Sequence, residues 1–173
     1  IGGGSICSTR IQTGHGLPGL QTIIECAMTT RDVKIIADGG IKNSGDIVKA
    51  LAAGADAVMV GSLLSGTTET PGEVFYQDDD PSGFQWKNYR GMASKEAQID
   101  WQGRYSSFEG VNSIVPHRGP VENILRDLEK GLRSGFSYSG ARNLLQLQTQ
   151  AKWVKQTSAG LSESKTHINT RKW

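Results

Sequence analysis

The residues with the clearest chemical potential lie near the start of the chain, in the run Gly2-Gly3-Gly4-Ser5-Ile6-Cys7-Ser8-Thr9. Consecutive glycines allow backbone conformations that residues with a Cβ avoid, and they let a ligand approach the main chain closely. Cys7 can act as a nucleophile in such a turn, because neighbouring N–H groups and hydroxyls stabilise a thiolate. Taken alone, the run also fits a small apolar residue packed where a strand becomes a loop.

Two further clusters of glycines and oxygen-bearing side chains follow short apolar runs. Asp38-Gly39-Gly40 comes after residues 33–37, and Gly61-Ser62 comes after residues 57–60. Glycine N–H groups at such loops can surround phosphate oxygens. Ordinary turns would explain either cluster alone, but their occurrence at two successive strand ends favours a phosphate site.

The spacing Gly2-x-Gly4-x-x-Cys7-x-Thr9 resembles the catalytic cysteine loop of the IMP dehydrogenase and GMP reductase family. The family usually carries a proline at the position of Gly3, and this difference removes no functional group. Further matches extend along nearly the whole chain. The resemblance implies an α/β fold, namely the C-terminal half of a catalytic (β/α)8 TIM barrel whose N-terminal half is not in this sequence.

The same resemblance implies a nucleotide monophosphate site. Asp38 would hold the ribose hydroxyls, and Tyr89 would reach the phosphate from the segment Tyr89-Arg90-Gly91-Met92-Ala93-Ser94. Ala93 stands where the family commonly has a second glycine. Glu109 occupies the position that contacts the purine. The other implied substrate contacts are Ser5, Gly39, Gly40, Gly61 and Ser62 around the phosphate, and the main chain of Gly91, Met92 and Ala93 beside the purine.

Arg104-Tyr105 resembles the Asp-Arg-Tyr segment of the dehydrogenase flap, in which arginine and tyrosine together activate water. A free arginine stays protonated and is a poor base, so this role requires the tyrosine and a closed site. A solvated surface pair is the alternative interpretation.

A site for potassium is also implied by the resemblance, because residues 158–164 are similar to the family's Gly-Leu-Arg-Glu-Ser-His tail. Lys165 replaces the final histidine and adds a positive charge. The implied ligands are Gly2, Gly4 and Cys7 from one subunit, and Glu163, Ser164 and Lys165 from its neighbour in a homotetramer.

The resemblance favours IMP dehydrogenase, with Cys7, Thr9, Arg104 and Tyr105 as catalytic residues. In that reaction Cys7 attacks IMP, hydride passes to NAD, and the covalent XMP intermediate is hydrolysed. GMP reductase is the first alternative, because it shares the cysteine and the phosphate site. Its reaction uses NADPH and expels ammonia, and it does not need the Arg-Tyr pair. The remaining alternatives are a flavin-phosphate-binding barrel and a non-catalytic assembly fragment.

Hydrophobic periodicity predicts the elements that would position these residues. We expect a helix over residues 20–28, with Cys26 packed within it, a strand over 33–38, a helix over 44–53 and a strand over 57–60 that is buried on both faces. Strand, helix and strand at this spacing indicate a βαβ unit and a parallel sheet. Ligands bind at the carboxyl ends of such strands.

Residues 66–118, which include the acidic run Asp78-Asp79-Asp80, show little periodicity and are predicted to form a lid or flap. A helix follows over 120–134, with Gly135 expected to end it, and a last helix spans about 141–152. Residues 156–173 are predicted to be a polar tail, with Arg171 and Lys172 in solvent.

The composition narrows the class of protein. The chain has 173 residues and a net charge of +2, with 19 basic and 17 acidic residues. Such a balance predicts no nucleic-acid or membrane partner. No apolar run reaches the roughly 20 residues of a membrane span. Two cysteines make no disulfide framework, so we expect a cytoplasmic protein. The family resemblance further implies that it binds IMP or XMP and NAD and joins an N-terminal half-barrel.

Overall fold

A computed structural model describes residues 2–77, 83–106 and 109–166 of the chain. The acidic run Asp78-Asp79-Asp80 and the pair Arg171 and Lys172 lie outside the described residues. The helices are α1 (Thr9–Thr13), α2 (Gly19–Ala27), α3 (Ser44–Ala52), α4 (Lys95–Gln102), α5 (Val121–Tyr138), α6 (Leu144–Gln150) and α7 (Ser158–Glu163). The strands are β1 (Ile36–Asp38), β2 (Ala57–Met59), β3 (Val74–Tyr76), β4 (Gln85–Arg90) and β5 (Asn112–Pro116).

The predicted βαβ unit is confirmed by β1, α3 and β2. β1 pairs in parallel with β2, and Ala37 lies opposite Val58. The side chain of Asn43 caps α3 by accepting a hydrogen bond from the N–H of Asp46 at 3.0 Å, which satisfies one of the free donors of the first turn. The core beneath the sheet is built from five buried residues: Ala37, Ile41, Ile47, Ala50 and Ala55.

The prediction that residues 57–60 are buried on both faces is wrong for this chain. Val58 is half-buried against the core, whereas Met59 is 52% exposed. Ile36 on the neighbouring strand is 57% exposed. Because successive side chains point to opposite faces of a strand, the described sheet has one covered face and one open apolar face.

α5 does not end at Gly135 as predicted but continues to Tyr138. The reason is packing against α3. A Cβ added at Gly135 would lie 2.5 Å from Cγ2 of Val48, and one added at Gly131 would lie 2.5 Å from Cβ of Ser44. Both glycines therefore permit close contact between two helices. α6 is shorter than predicted, because Asn143 caps its first turn by accepting a hydrogen bond from the N–H of Gln146.

The stretch 66–118 was predicted to be irregular, but its described part contains regular structure. β3, β4 and β5 form an antiparallel sheet in which Lys87 lies opposite both Val74 and Val115. α4 follows β4, and the hydroxyl of Ser94 caps it by accepting a hydrogen bond from the N–H of Ala97. The predicted polar tail also contains a short helix, α7.

Candidate active site

The cysteine loop is joined to a segment that lies about a hundred positions further along the chain. Cys7 forms an isolated bridge with Gly110. The N–H of Ser8 donates to the carbonyl of Glu109 at 2.9 Å, and the N–H of Val111 donates to the carbonyl of Ile6 at 3.0 Å. These backbone bonds fix the position of Cys7 relative to Glu109.

A chain of side-chain hydrogen bonds leads from Cys7 to Glu109 through Thr9. The Cys7 thiol donates to Oγ1 of Thr9 at 3.1 Å, and that hydroxyl donates to Oε2 of Glu109 at 2.5 Å. Thr9 is only 7% exposed, and Cys7 is half-buried. The arrangement offers a path by which the thiol proton can pass to a carboxylate, and this is how a base activates a cysteine nucleophile.

The segment predicted to meet the purine lies beside this chain of hydrogen bonds. The N–H of Glu109 donates to the carbonyl of Ala93 at 3.0 Å, and the N–H of Gly91 donates to the carbonyl of Val111 at 3.2 Å. Gly110 is buried between the cysteine loop and residues 91–94, and a Cβ added to it would lie 3.1 Å from the backbone nitrogen of Ser94. Residues 91–93 are thereby held next to Cys7.

The end of β1 also touches the cysteine loop. Gly39 has φ +89, and a Cβ there would lie 2.7 Å from the carbonyl carbon of Gly3, so only glycine fits without strain. Asp38 and Gly40 flank it, and both are exposed. All of these residues line a cleft of about 510 Å³. The predicted ribose position therefore lies next to the start of the cysteine loop.

The end of β2 is close to Tyr89 on β4. A Cβ at Gly61 would lie 3.2 Å from the Tyr89 hydroxyl oxygen. Ser62 is half-buried, and its carbonyl accepts a hydrogen bond from the hydroxyl of Ser65 at 2.7 Å. Ser5 is exposed on the cysteine loop. The structure thus places a tyrosine hydroxyl at the glycine where sequence reasoning expects a phosphate.

Arg104 and Tyr105 follow the C-terminal end of α4, where Gly103 takes φ +70. Both side chains are exposed. Nζ of Lys95 lies 4.7 Å from the centroid of the Tyr105 ring, which is a cation–π contact. This contact attaches Tyr105 to α4. The role of Arg104 and Tyr105 in the site stays a prediction.

The cation site also stays a prediction. The carbonyl of Gly4 accepts the N–H of Cys7 at 3.1 Å and retains a second lone pair. Ser164 follows α7, and its hydroxyl donates to the carbonyl of Gly160 at 2.8 Å. Within the described residues no group of three or more histidine, cysteine or acidic side chains could hold a metal.

Two residues near the site differ from what the sequence suggested. Cys26, expected to be packed, lies in the last turn of α2 and is exposed. Lys87 was not singled out, yet it is buried in β4. In the sequence, Lys87 is a charged residue in the middle of a segment that contains aromatic residues. This pattern alone does not indicate that the lysine is buried.

The described part of the chain contains no helix long and apolar enough to cross a membrane.

Known proteins are similar to this chain over nearly its whole length. Residues 1–167 match the family described as IMP dehydrogenase / GMP reductase domain. The chain is 48% identical over 178 residues to inosine-5′-monophosphate dehydrogenase of Aquifex aeolicus, and 44% identical over 179 residues to GMP reductase of Leishmania major. Each alignment covers 96% of this chain and 36% of the relative.

A solved structure is similar over the same region. The crystal structure of a GMP reductase variant from Trypanosoma brucei, in complex with guanosine 5′-monophosphate, superposes with a TM-score of 0.89 at 44% identity. It covers 97% of this chain, which in turn covers 35% of that protein. The chain therefore spans about a third of the length of these relatives, and it belongs to the IMP dehydrogenase / GMP reductase family.

Proposed function

We propose that this chain is the nucleophile-bearing and nucleotide-binding part of an IMP dehydrogenase, which oxidises IMP to XMP with NAD in guanine nucleotide synthesis. The observation that carries the proposal is the chain of hydrogen bonds from Cys7 through Thr9 to Glu109. It lies beside residues 91–93, where the purine is expected to bind. A nucleophile, a proton acceptor and a substrate segment are thus combined.

The first half of the reaction uses Cys7 and its hydrogen-bonded partners. The thiol proton passes through the Thr9 hydroxyl to the Glu109 carboxylate, and the thiolate forms a bond to C2 of the purine. A hydride leaves the same carbon, and NAD, when bound, accepts it. Met92 is 77% exposed, so this side of the purine segment is open to a second ring.

Substrate binding in this proposal places each part of the nucleotide on a different segment. Asp38 accepts hydrogen bonds from the ribose hydroxyls at the end of β1. The phosphate is held by the Tyr89 hydroxyl and by N–H groups of Gly40 and Gly61, with Ser5 and Ser62 contributing hydroxyls. This arrangement leaves the purine against residues 91–93 and within reach of Cys7.

The second half of the reaction is hydrolysis. Water adds to C2 of the covalent intermediate, loses its proton to the Arg104–Tyr105 pair, and the C2–S bond breaks to release XMP and the Cys7 thiolate. For this step the exposed pair must close over the substrate. Overall, IMP, NAD and water give XMP, NADH and a proton.

Completion of the barrel by an N-terminal half is also part of the proposal. The apolar side chains of Ile36 and Met59 are exposed on the open face of the parallel sheet, and such a face is normally covered. We further propose a homotetramer with potassium held by carbonyls of Gly2, Gly4 and Cys7 and by a neighbour's residues 163–165.

GMP reductase is the second candidate, because the Thr9–Glu109 pair fits that reaction equally well. There, Cys7 attacks C2 of GMP, the amino group must gain a proton to leave as ammonia, and the Glu109 carboxyl can deliver it through Thr9. A hydride from NADPH then replaces the sulfur. The similarity to GMP reductases of Leishmania major and Trypanosoma brucei gives this candidate weight.

One experiment separates the two functions. The full-length enzyme is mixed with IMP and NAD, or with GMP and NADPH, and XMP, NADH and ammonia are measured. We expect XMP and NADH from IMP, and we expect Arg104→Ala to retain a rapid burst of NADH while steady turnover falls about 10²–10⁴-fold. Ammonia release from GMP, without NADH formation from IMP, would identify a reductase instead.

A further inference from the structure

Lys87 is a buried lysine that the proposed chemistry does not use. Its side chain is among the most buried in the described chain, with 2% exposure. The ammonium donates to three backbone carbonyls: Thr67 at 3.1 Å, Thr68 at 3.4 Å and Thr70 at 2.5 Å. Three N–H donors and three converging acceptors satisfy the group fully, as a buried charge requires.

The three carbonyls belong to the turns that follow the end of β2. Residues 61–70 form a series of turns, within which Thr67 makes an isolated bridge to Gly119. The N–H of Thr68 donates to the carbonyl of Gly119 at 2.9 Å. The ammonium of Lys87 therefore connects β4 to the far end of the segment that begins with Gly61 and Ser62.

A second contact joins β4 to the near end of the same segment. Tyr89 lies two residues after Lys87, so both side chains project from the same face of the strand. The Tyr89 hydroxyl oxygen lies 3.2 Å from the position that a Cβ on Gly61 would occupy. β4 thus contacts residues 61–70 at two points on one face.

We propose that Lys87 is a positioning residue for the phosphate end of the substrate site. By holding the carbonyls of residues 67–70, it sets the position of β4 along this segment and so keeps the Tyr89 hydroxyl at Gly61. This inference rests on the proposed nucleotide site but not on the choice between dehydrogenase and reductase. Residues 91–93 follow β4 but are held separately by backbone hydrogen bonds to Glu109 and Val111. Asp38 and Cys7 lie on other segments, so loss of the ammonium affects the phosphate selectively.

The test compares a nucleotide with its nucleoside in the full-length enzyme. For Lys87→Met we expect KM for IMP to rise about 10-fold to 100-fold, the loss expected for a hydrogen bond to a charged group, with kcat little changed. Activity with inosine, which lacks the phosphate, should be unchanged. GMP and guanosine replace this pair if the enzyme is a reductase. Lys130→Met, at an exposed lysine paired with Asp127, is the matched control and should change nothing.

Tyr89→Phe should reproduce the effect of Lys87→Met, and the double variant should be no worse than either single one. Equal losses with nucleotide and nucleoside, or additive effects of the two substitutions, would overturn the inference. If Lys87→Met does not fold, Lys87→Arg keeps the charge, but its planar fork cannot converge on three carbonyls. A folded Lys87→Arg enzyme with unchanged KM for IMP would also overturn it. An unmodified enzyme that does not prefer nucleotide over nucleoside would instead refute the proposed nucleotide site.

Discussion

Substitution of Thr9 by valine tests the path between the nucleophile and its proton acceptor. Valine keeps the branched shape of a side chain that is 7% exposed, and it removes only the hydroxyl. That hydroxyl accepts a hydrogen bond from the Cys7 thiol and donates one to the Glu109 carboxylate at 2.5 Å. Without it, the thiol and the carboxylate have no hydrogen-bonded connection through this residue.

The expected loss follows from the strength of the broken contact. A hydrogen bond to a charged group contributes about 1.5–3 kcal/mol, and the carboxylate of Glu109 is half-buried, so water replaces the hydroxyl only in part. If this free energy is lost from the transition state, the rate falls roughly 10-fold to 160-fold. We expect kcat/KM and the rate of Cys7 alkylation by iodoacetamide to fall together within this range.

Thr13→Val is the matched control. The Thr13 hydroxyl donates to the Thr9 carbonyl at 2.8 Å in the same short helix, but it does not contact the thiol. Turnover and alkylation are measured for both variants in the full-length enzyme, and Cys7 is resolved from the exposed Cys26 by peptide mapping. If Thr9→Val and Thr13→Val lose activity equally, the effect belongs to α1 as a whole and the proton path is refuted.

Three other predictions concern the fold around the site. Gly39→Ala should abolish IMP binding and should cost more unfolding free energy than Gly14→Ala, because Gly14 has a similar positive φ but nothing within 4 Å. Gly14→Ala should cost only about 1–2 kcal/mol. Equal losses of unfolding free energy in urea titrations of the two variants would contradict this. Gly135→Ala should destabilise by about 1–3 kcal/mol through overpacking, and Val48→Ala in the same chain should recover part of the loss; additive losses would exclude the clash. A backbone N–H lowers the pKa of Asp56 below its ordinary 3.8, so Asp56 stabilises the fold above that pH and loses its contribution as pH falls through the lower folded value. The difference in urea midpoint between wild type and Asp56→Asn should therefore shrink on acidification from about pH 6 to about pH 3, and a constant difference would argue against it.

Local sequence patterns predicted the βαβ unit but not the end of α5. The βαβ unit followed from the apolar periodicity of residues 33–60, and it is confirmed. The end of α5 did not follow, because Gly135 resembles a helix stop in the sequence. Its actual role depends on Val48 in another helix, which no local pattern contains.

The antiparallel sheet was missed for a related reason. β4 reads Gln-Trp-Lys-Asn-Tyr-Arg, and its polar residues suggest a solvated loop. Lys87 is nevertheless buried, because backbone carbonyls from residues 67–70 surround its ammonium. In the site, the meeting of Thr9 and Glu109 across a sequence separation of 100 positions could be expected only from the family resemblance. The roles of Arg104 and Tyr105 stay predictions.

The central claim is that Cys7 carries the substrate as a covalent adduct, and peptide mass measurement tests it most directly. The full-length Arg104→Ala enzyme is mixed with IMP and NAD, quenched in acid and digested. We expect the mass of the bound purine nucleotide on the Cys7 peptide, in roughly one copy per active site, and none on the Cys26 peptide or in a Cys7→Ser, Arg104→Ala variant. NADH formation without an adduct on Cys7, or an adduct on Cys26, would contradict the account.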